Sequence, residues 1–183
     1  MYIETTTIEG LLVIKPDVFG DSRGYFQETW NKKKYTENGL DVYFTQDNLS
    51  YSTKGILRGL HFQNPNPQSK LVHVPHGEVF DVAVDIRYGS PTFGDWFGIF
   101  LSDKNHYQLY IPEGFAHGFC VTSETALFSY KCSGSYYPEF EYSIAWNDPD
   151  IRVNWPISFP RLSTKDMSGM KLSEIDVEVF KFK

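Results

Sequence analysis

Two stretches of the chain bring together side chains able to move protons or bind anions. Gly55-Ile56-Leu57-Arg58-Gly59-Leu60-His61-Phe62-Gln63 sets an Arg and a His three residues apart in a β-type run, between glycines that let another group approach closely. Pro112-Glu113-Gly114-Phe115-Ala116-His117-Gly118-Phe119 turns at Pro and Gly and presents His117 at the start of the next strand. Imidazole titrates near neutral pH, so His61 is a candidate base; a lone His is as often a hydrogen-bonded core group, and the residue alone leaves the two readings even. Arg58 says more. A guanidinium inside an apolar strand is costly unless it meets an anion, so a phosphate or carboxylate partner is expected. Lys70, in Gln68-Ser69-Lys70-Leu71-Val72, has the same character more weakly. Asp81 and Asp85 share a strand face, and either serve the site or pair with inward Arg and Lys. His73, His76 and His106 fit no pattern and read as structural.

Short strands must position these groups. In residues 78–86, Phe80, Val82, Val84 and Ile86 fall on one face, and Val79, Asp81, Ala83 and Asp85 on the other. Leu11 to Ile14, the alternating run Tyr25 to Trp30, and segments 42–49, 56–62, 69–75, 96–102, 106–111, 117–122, 126–132 and 142–147 are further strand candidates. Gly-Asp-Ser-Arg-Gly (20–24), Asn64-Pro65-Asn66-Pro67 and Tyr88-Gly89-Ser90-Pro91 read as turns. Asn31 to Asn38, stopped by Gly39, reads as a short surface helix. Many short strands at this spacing predict an all-β sandwich or barrel. From Leu162 onward, short helical turns and an extended tail are expected to close the domain.

Composition agrees with this. The 183 residues suit one domain, 41% hydrophobic against 22% charged residues excludes disorder as the main state, and 17% aromatics favour sheets over helix bundles. A net charge of −6 argues against nucleic-acid binding but leaves room for an anionic small ligand in a local basic pocket. Cys120 and Cys132 lie in apolar strand-like stretches and read as reduced core thiols. The N-terminal residues lack the pattern of a signal peptide, and no window approaches the ~18 apolar residues of a membrane span, so the expectation is a cytoplasmic, soluble chain.

The two opening stretches resemble the paired motifs of the cupin superfamily, Gly-x5-His-x-His and Pro-x-Gly-x2-His, which implies a small β-barrel or jelly roll with both motifs at its mouth and short peripheral helices. Gln63 stands where a metal-binding cupin has its second His, and two histidines are a poor metal set, so no metal is expected. From about Val13 to Asp166 the chain resembles the dTDP-4-dehydrorhamnose 3,5-epimerase family. The motifs are Val18-Phe19-Gly20-Asp21-Ser22-Arg23-Gly24-Tyr25-Phe26-Gln27-Glu28, Gln46-Asp47-Asn48, Leu57 through Gln63, Gly77 through Asp85, Ile111 through Phe119, Tyr130-Lys131-Cys132, Trp146-Asn147-Asp148-Pro149 and Leu162-Ser163-Thr164-Lys165-Asp166.

That resemblance implies a cofactor-free isomerase that inverts C3 and C5 of a dTDP-linked 4-keto-6-deoxyhexose by proton abstraction beside the ketone. It implies His61 as general base, oriented by Asp166; Tyr130 as general acid; and Lys70 beside the keto oxygen. Arg23, Arg58 and His117 would contact sugar and diphosphate. Gln46, Asp47, Asn48, Glu28, Glu141, Phe119 and Lys165 would complete the substrate contacts, with Tyr136 stacked on the thymine and Phe19 and Phe26 walling that pocket. A homodimer built by exchange of N-terminal strands would bring residues 23–28 to a neighbour's site. Ser69, His73 and Tyr142-Ser143 depart from the family's common residues and bear on nucleotide or sugar preference. The alternatives are an epimerase inverting one centre or acting on another nucleotide-linked 4-keto sugar, a metal cupin, and a non-catalytic sugar-binding cupin.

Overall fold

The computed structural model describes residues 1–182 as two packed antiparallel sheets. One has six strands in the order β1 (Tyr2–Thr5), β2 (Leu12–Lys15), β10 (Gln108–Ile111), β7 (Lys70–His76), β12 (Thr125–Ser133) and β5 (Phe44–Thr53). The other has five, in the order β13 (Glu141–Ser143), β6 (Leu57–Gln63), β11 (Phe115–Val121), β8 (Glu78–Asp85) and β9 (Trp96–Ser102). A separate hairpin of β3 (Val18–Asp21) and β4 (Gly24–Gln27) stands apart from both. This is the all-β, cupin-type jelly roll expected from the sequence.

Period-2 alternation explains the core. Val13, Val72, Val74, Leu109, Ala126 and Phe128 of the first sheet meet Val79, Ala83, Leu101, Phe115, Phe119 and Val121 of the second. The opposite face of β8 is also buried: Phe80, Val82 and Val84 pack under Ile151, Leu172, Ile175 and Phe180 from the C-terminal segment. A strand with both faces apolar is therefore covered twice, once by a sheet and once by irregular chain. On the outer face of the six-stranded sheet, α1 (Lys32–Glu37) buries Tyr35 against Ile14 and Leu71, and its N-terminus is capped by Asn31.

Some boundaries differ from expectation. The turn at 20–24 is narrower, because Gly20 and Asp21 pair with Tyr25 and Gly24 in the hairpin. Residues 2–5 form an edge strand that the sequence pattern missed, being too short to show a period. His117 lies within β11 rather than at its start, and the strand expected over 142–147 spans only Glu141–Ser143, with Ile144 bonding on to Leu60 and bridging Met170. The closing segment comprises α2 (Thr164–Met167) and two 3-10 turns, Leu172–Glu174 and Val177–Phe180; Lys183 of the expected tail lies outside the described residues. Cys120 and Cys132 are buried and free. No helix among the described residues is long and apolar enough to cross a membrane.

Candidate active site

A cavity of about 460 Å³ opens between the sheets at one end of the sandwich. Its inner limit is the pair Phe119 and Phe128, stacked across the sheets with ring centroids 4.0 Å apart. Beyond them the core is apolar; before them the lining is polar.

The five-stranded sheet supplies Arg58, His61 and His117. Residues three apart on a regular strand point to opposite faces, yet Arg58 and His61 both line the cavity. The register explains it: His61 faces His117 on β11, whereas Arg58 faces Phe119, with a shift between the two pairs. The shift requires close contact of β6 and β11. A Cβ on Gly59, whose φ is +120°, would sit 2.5 Å from Gly118 Cα, and a Cβ on Gly118 would sit 2.7 Å from the Arg58 carbonyl oxygen. Only glycines fit there.

The six-stranded sheet supplies the facing wall. Gln46, Asn48 and Ser50 on β5, Tyr130 and Cys132 on β12, and Lys70 on β7 all point inward. Tyr130 sits across from Asn48 on one side and Val72 on the other; Cys132 sits between Gln46 and Lys70. His61 and Tyr130 thus occupy opposite walls.

Asp166 joins the site from α2. Its Oδ1 lies 2.7 Å from His61 Nε2 and accepts the Gly59 N–H at 3.1 Å, while Oδ2 accepts from the Ser163 hydroxyl at 2.5 Å. The carboxylate meets the ring nitrogen off the N–H axis, so the contact is not an aligned hydrogen bond and becomes an ion pair only when the ring carries a second proton. Burial would raise the Asp166 carboxyl, but His61, Ser163 and the Gly59 amide outweigh it and hold the group well below the carboxylate range. At the mouth, Glu141 accepts from the Tyr136 hydroxyl at 2.6 Å, pairs with Lys165, and places Oε1 4.0 Å from His61 Nδ1. Its carboxylate raises the Tyr136 phenol to about 12.

Burial lowers the Lys70 ammonium, a shift that Cys132, Glu141 and Asp81 partly oppose. Burial likewise raises the Tyr130 phenol, helped by Cys132 and Glu141, so Tyr130 is protonated at neutral pH. His117 Nε2 lies 3.0 Å from the fully buried Asp81, and burial lowers the imidazole despite that partner.

Several expectations are corrected. Asp47 does not face the cavity: alternation along β5 turns it outward, where it pairs with Lys131 at 2.6 Å. Arg58 is exposed to the open mouth and donates to Ser52 Oγ at 3.2 Å, so it escapes the desolvation cost from which an anionic partner is expected. Asp85 serves no site; it accepts from Arg87, Ser90 and Thr92. Phe19, Arg23 and Phe26 lie on the exposed hairpin and Glu28 beyond it, bonded to Asn31; none lines the cavity of its own chain. Of the departures, Ser69 is bonded to Ser133 and His73 lies on the outer-face parity of β7, away from the cavity. Ser50, Gln68, Phe128, Cys132 and Ser163 line the cavity unforeseen. Extending the alternation through 46, 48, 50 and through 128, 130, 132 would have found three of them. Among the described residues no three His, Cys, Asp or Glu side chains form a potential metal cluster. His61 and His117 are each engaged by a carboxylate.

Fold and site define a cupin-type jelly roll whose mouth holds a His–carboxylate pair opposite a phenol and a half-buried lysine. Comparison with known proteins narrows this. The profile of the dTDP-4-dehydrorhamnose 3,5-epimerase family matches residues 5–174. The Shigella flexneri enzyme of that name is 52% identical over 96% of this chain and 98% of its own length. The Methanothermobacter thermautotrophicus enzyme of that name is 49% identical over 92% of this chain and 93% of its own. The crystal structure of a Legionella pneumophila dTDP-6-deoxy-D-glucose-3,5-epimerase in complex with dTDP-4-keto-L-rhamnose superimposes with a TM-score of 0.96 at 49% identity, covering 100% of this chain and 98% of that one. A less similar relative, at 39% identity, is the dTDP-4-dehydrorhamnose 3-epimerase of Streptomyces niveus. The chain belongs to the dTDP-4-dehydrorhamnose 3,5-epimerase family. It is an isomerase, an epimerase of dTDP-rhamnose biosynthesis.

Proposed function

We propose that this single cupin-like domain converts dTDP-4-dehydro-6-deoxy-D-glucose to dTDP-4-dehydro-L-rhamnose by inverting C3 and C5 in turn. The observation that carries the assignment of roles is the placement of His61 and Tyr130 on opposite walls of one cavity. Inversion needs a proton removed from one face of a sugar ring and another delivered to the opposite face, and a ring seated between the sheets meets a base on one side and an acid on the other.

With Nε2 of His61 against Asp166, Nδ1 is the nitrogen left to accept a proton. It takes the hydrogen on carbon beside the C4 ketone, and the C–H electron pair moves into an enolate. Asp166 stabilises the imidazolium that results. Lys70, on the Tyr130 wall, places positive charge where the enolate oxygen forms, so the developing charge meets a group already in position. The Tyr130 hydroxyl then protonates the carbon from its own side, and solvent returns a proton to the phenolate and removes one from the imidazolium. No electrons are gained or lost overall, so the scheme uses no cofactor.

The mouth would hold the nucleotide: Arg58 for diphosphate, Tyr136 for stacking on thymine, and Gln46, Asn48, His117, Phe119, Glu141 and Lys165 for further contacts. The exposed apolar hairpin, with Phe19 at 64% and Phe26 at 67% exposure, supports a homodimer in which it reaches the neighbouring subunit's cavity with Arg23 and Glu28. β1, at the free edge of the six-stranded sheet, is the N-terminal strand whose exchange would build that dimer. Two free cysteines in separate strands fit a cytoplasmic location.

A second reading, inversion at one centre, is favoured by the Streptomyces niveus relative. Turnover of dTDP-4-keto-6-deoxy-D-glucose in heavy water separates the two. Deuterium at C3 and C5 supports the double epimerase, deuterium at one carbon the single-centre reading, and no label with bound substrate overturns both.

A further inference from the structure

Gln63, at the position where metal cupins carry a histidine, is 6% exposed and uses both ends of its amide. Nε2 donates to the Ser135 carbonyl at 3.2 Å and to the Asn66 carbonyl, while Oε1 accepts the Tyr137 N–H at 2.8 Å. These bonds bracket Tyr136. Residues 135–137 belong to no strand or helix, so the backbone there has no ladder to fix it. Tyr136 itself is 49% exposed at the cavity mouth, where a side chain is held mainly by what holds its loop. Its second tether, Glu141, is paired with Gln63 across β13 and β6. Gln63 therefore touches both supports of one aromatic ring without facing the reacting atoms.

We infer that Gln63 is a positioning residue for nucleobase recognition, its amide fixing the 135–137 loop so that Tyr136 is preorganised to stack on the base. This rests on the reading of Tyr136 given above. An exposed ring on an untethered loop loses conformational freedom on binding, and prior fixing removes that cost. Because the chemistry takes place deeper, between His61 and Tyr130, loss of the clamp is felt in binding rather than in turnover.

The test is a double-mutant cycle on the full-length protein with Gln63→Met and Tyr136→Ala, reading dTDP affinity by calorimetry and steady-state kinetics on the keto sugar. Gln63→Met is expected to weaken dTDP binding and raise KM by about tenfold, with kcat changed by less than about twofold. In the Tyr136→Ala background the same change is expected to cost less than about twofold, because the ring it positions is gone. If the two losses multiply, or if Gln63→Met binds dTDP like wild type, the inference is overturned. Should Gln63→Met fold poorly by circular dichroism, Gln63→Glu carries the same cycle: it keeps the acceptor for Tyr137 but sets a carboxylate against the Ser135 and Asn66 carbonyls. Wild-type protein that binds no dTDP would overturn the functional reading itself. Wild-type binding with an additive cycle overturns only the role of Gln63.

Discussion

Asp166 Oδ1 reaches both the His61 ring, at 2.7 Å, and the Gly59 amide, at 3.1 Å. One carboxylate thus orients the proposed base and pins the irregular point of β6 that turns Arg58 and His61 to the same side. The same side chain closes the capping box of α2 with Ser163. Removing it should therefore cost stability and chemistry together.

Asp166→Ala is predicted to lose about 3 kcal/mol of stability at pH 7, since a buried amide and hydroxyl lose their acceptor. Asp166→Asn keeps an acceptor and should fold better, yet lose roughly a hundredfold or more in kcat because it cannot support the imidazolium. The pH dependence has a definite sign. The folded-state carboxyl lies below its ordinary value, so its contribution is complete above about pH 4 and is lost as pH falls further toward the lowered value. Denaturation of wild type and Asp166→Asn should therefore differ most near neutrality and converge in acid. A gap that widens below pH 4 would contradict the assignment.

The opposite-wall arrangement separates two half-reactions. His61→Asn should abolish deuterium entry at both C3 and C5 while dTDP affinity stays within about twofold, because the base does not hold the nucleotide. Tyr130→Phe should still admit label, with His61 removing and returning protons on one face, while product formation drops by about a hundredfold. Normal turnover by Tyr130→Phe would transfer the acid role to another group or to water.

Much of this was legible in the sequence because it depends on period and on distinctive motifs. The alternation in β8 gives both buried faces, and the glycines flanking Arg58 and His61 mark an irregular strand. Asp47 misled because it stands in a motif with Gln46 and Asn48, and a motif does not say which of three consecutive strand residues points inward; β5 turns Asp47 out to Lys131. Arg58 misled because strand membership was equated with burial, whereas it opens on the mouth. The contacts of Gln63 were illegible for a different reason: they run to backbone atoms of a distant loop, which leave no residue-type signature.

Lys70 sets a prediction for alkaline pH. Burial lowers its ammonium below 10.5, while burial raises the Tyr130 phenol above 10.0. As pH rises, Lys70 therefore loses its proton, and with it the charge that stabilises the enolate, at a lower pH than a solvent-exposed lysine would. The kcat profile should fall on its alkaline side below the ordinary lysine value of 10.5. Lys70→Arg, whose guanidinium stays charged, should be slower but lose that limb. A limb unmoved by Lys70→Arg would assign it to a different group.

The hairpin yields a test that depends on whose site it completes. Arg23 is paired with Asp21 at 2.5 Å, its side chain is 87% exposed, and it does not line its own cavity. If it serves the neighbouring subunit, Arg23→Ala and His61→Asn homodimers are each nearly inactive, but a mixed dimer contains one site with both His61 and a neighbour's Arg23. Random mixing makes half the dimers mixed, each with one whole site of two, so roughly a quarter of wild-type activity should return after dissociation and reassociation. If Arg23 acted within its own chain, every site in the mixture would lack one group and no activity would return. Phe19→Ser with Phe26→Ser should meanwhile weaken the dimer itself, seen by sedimentation as a shift toward monomer, because it removes the exposed apolar rings from the proposed contact.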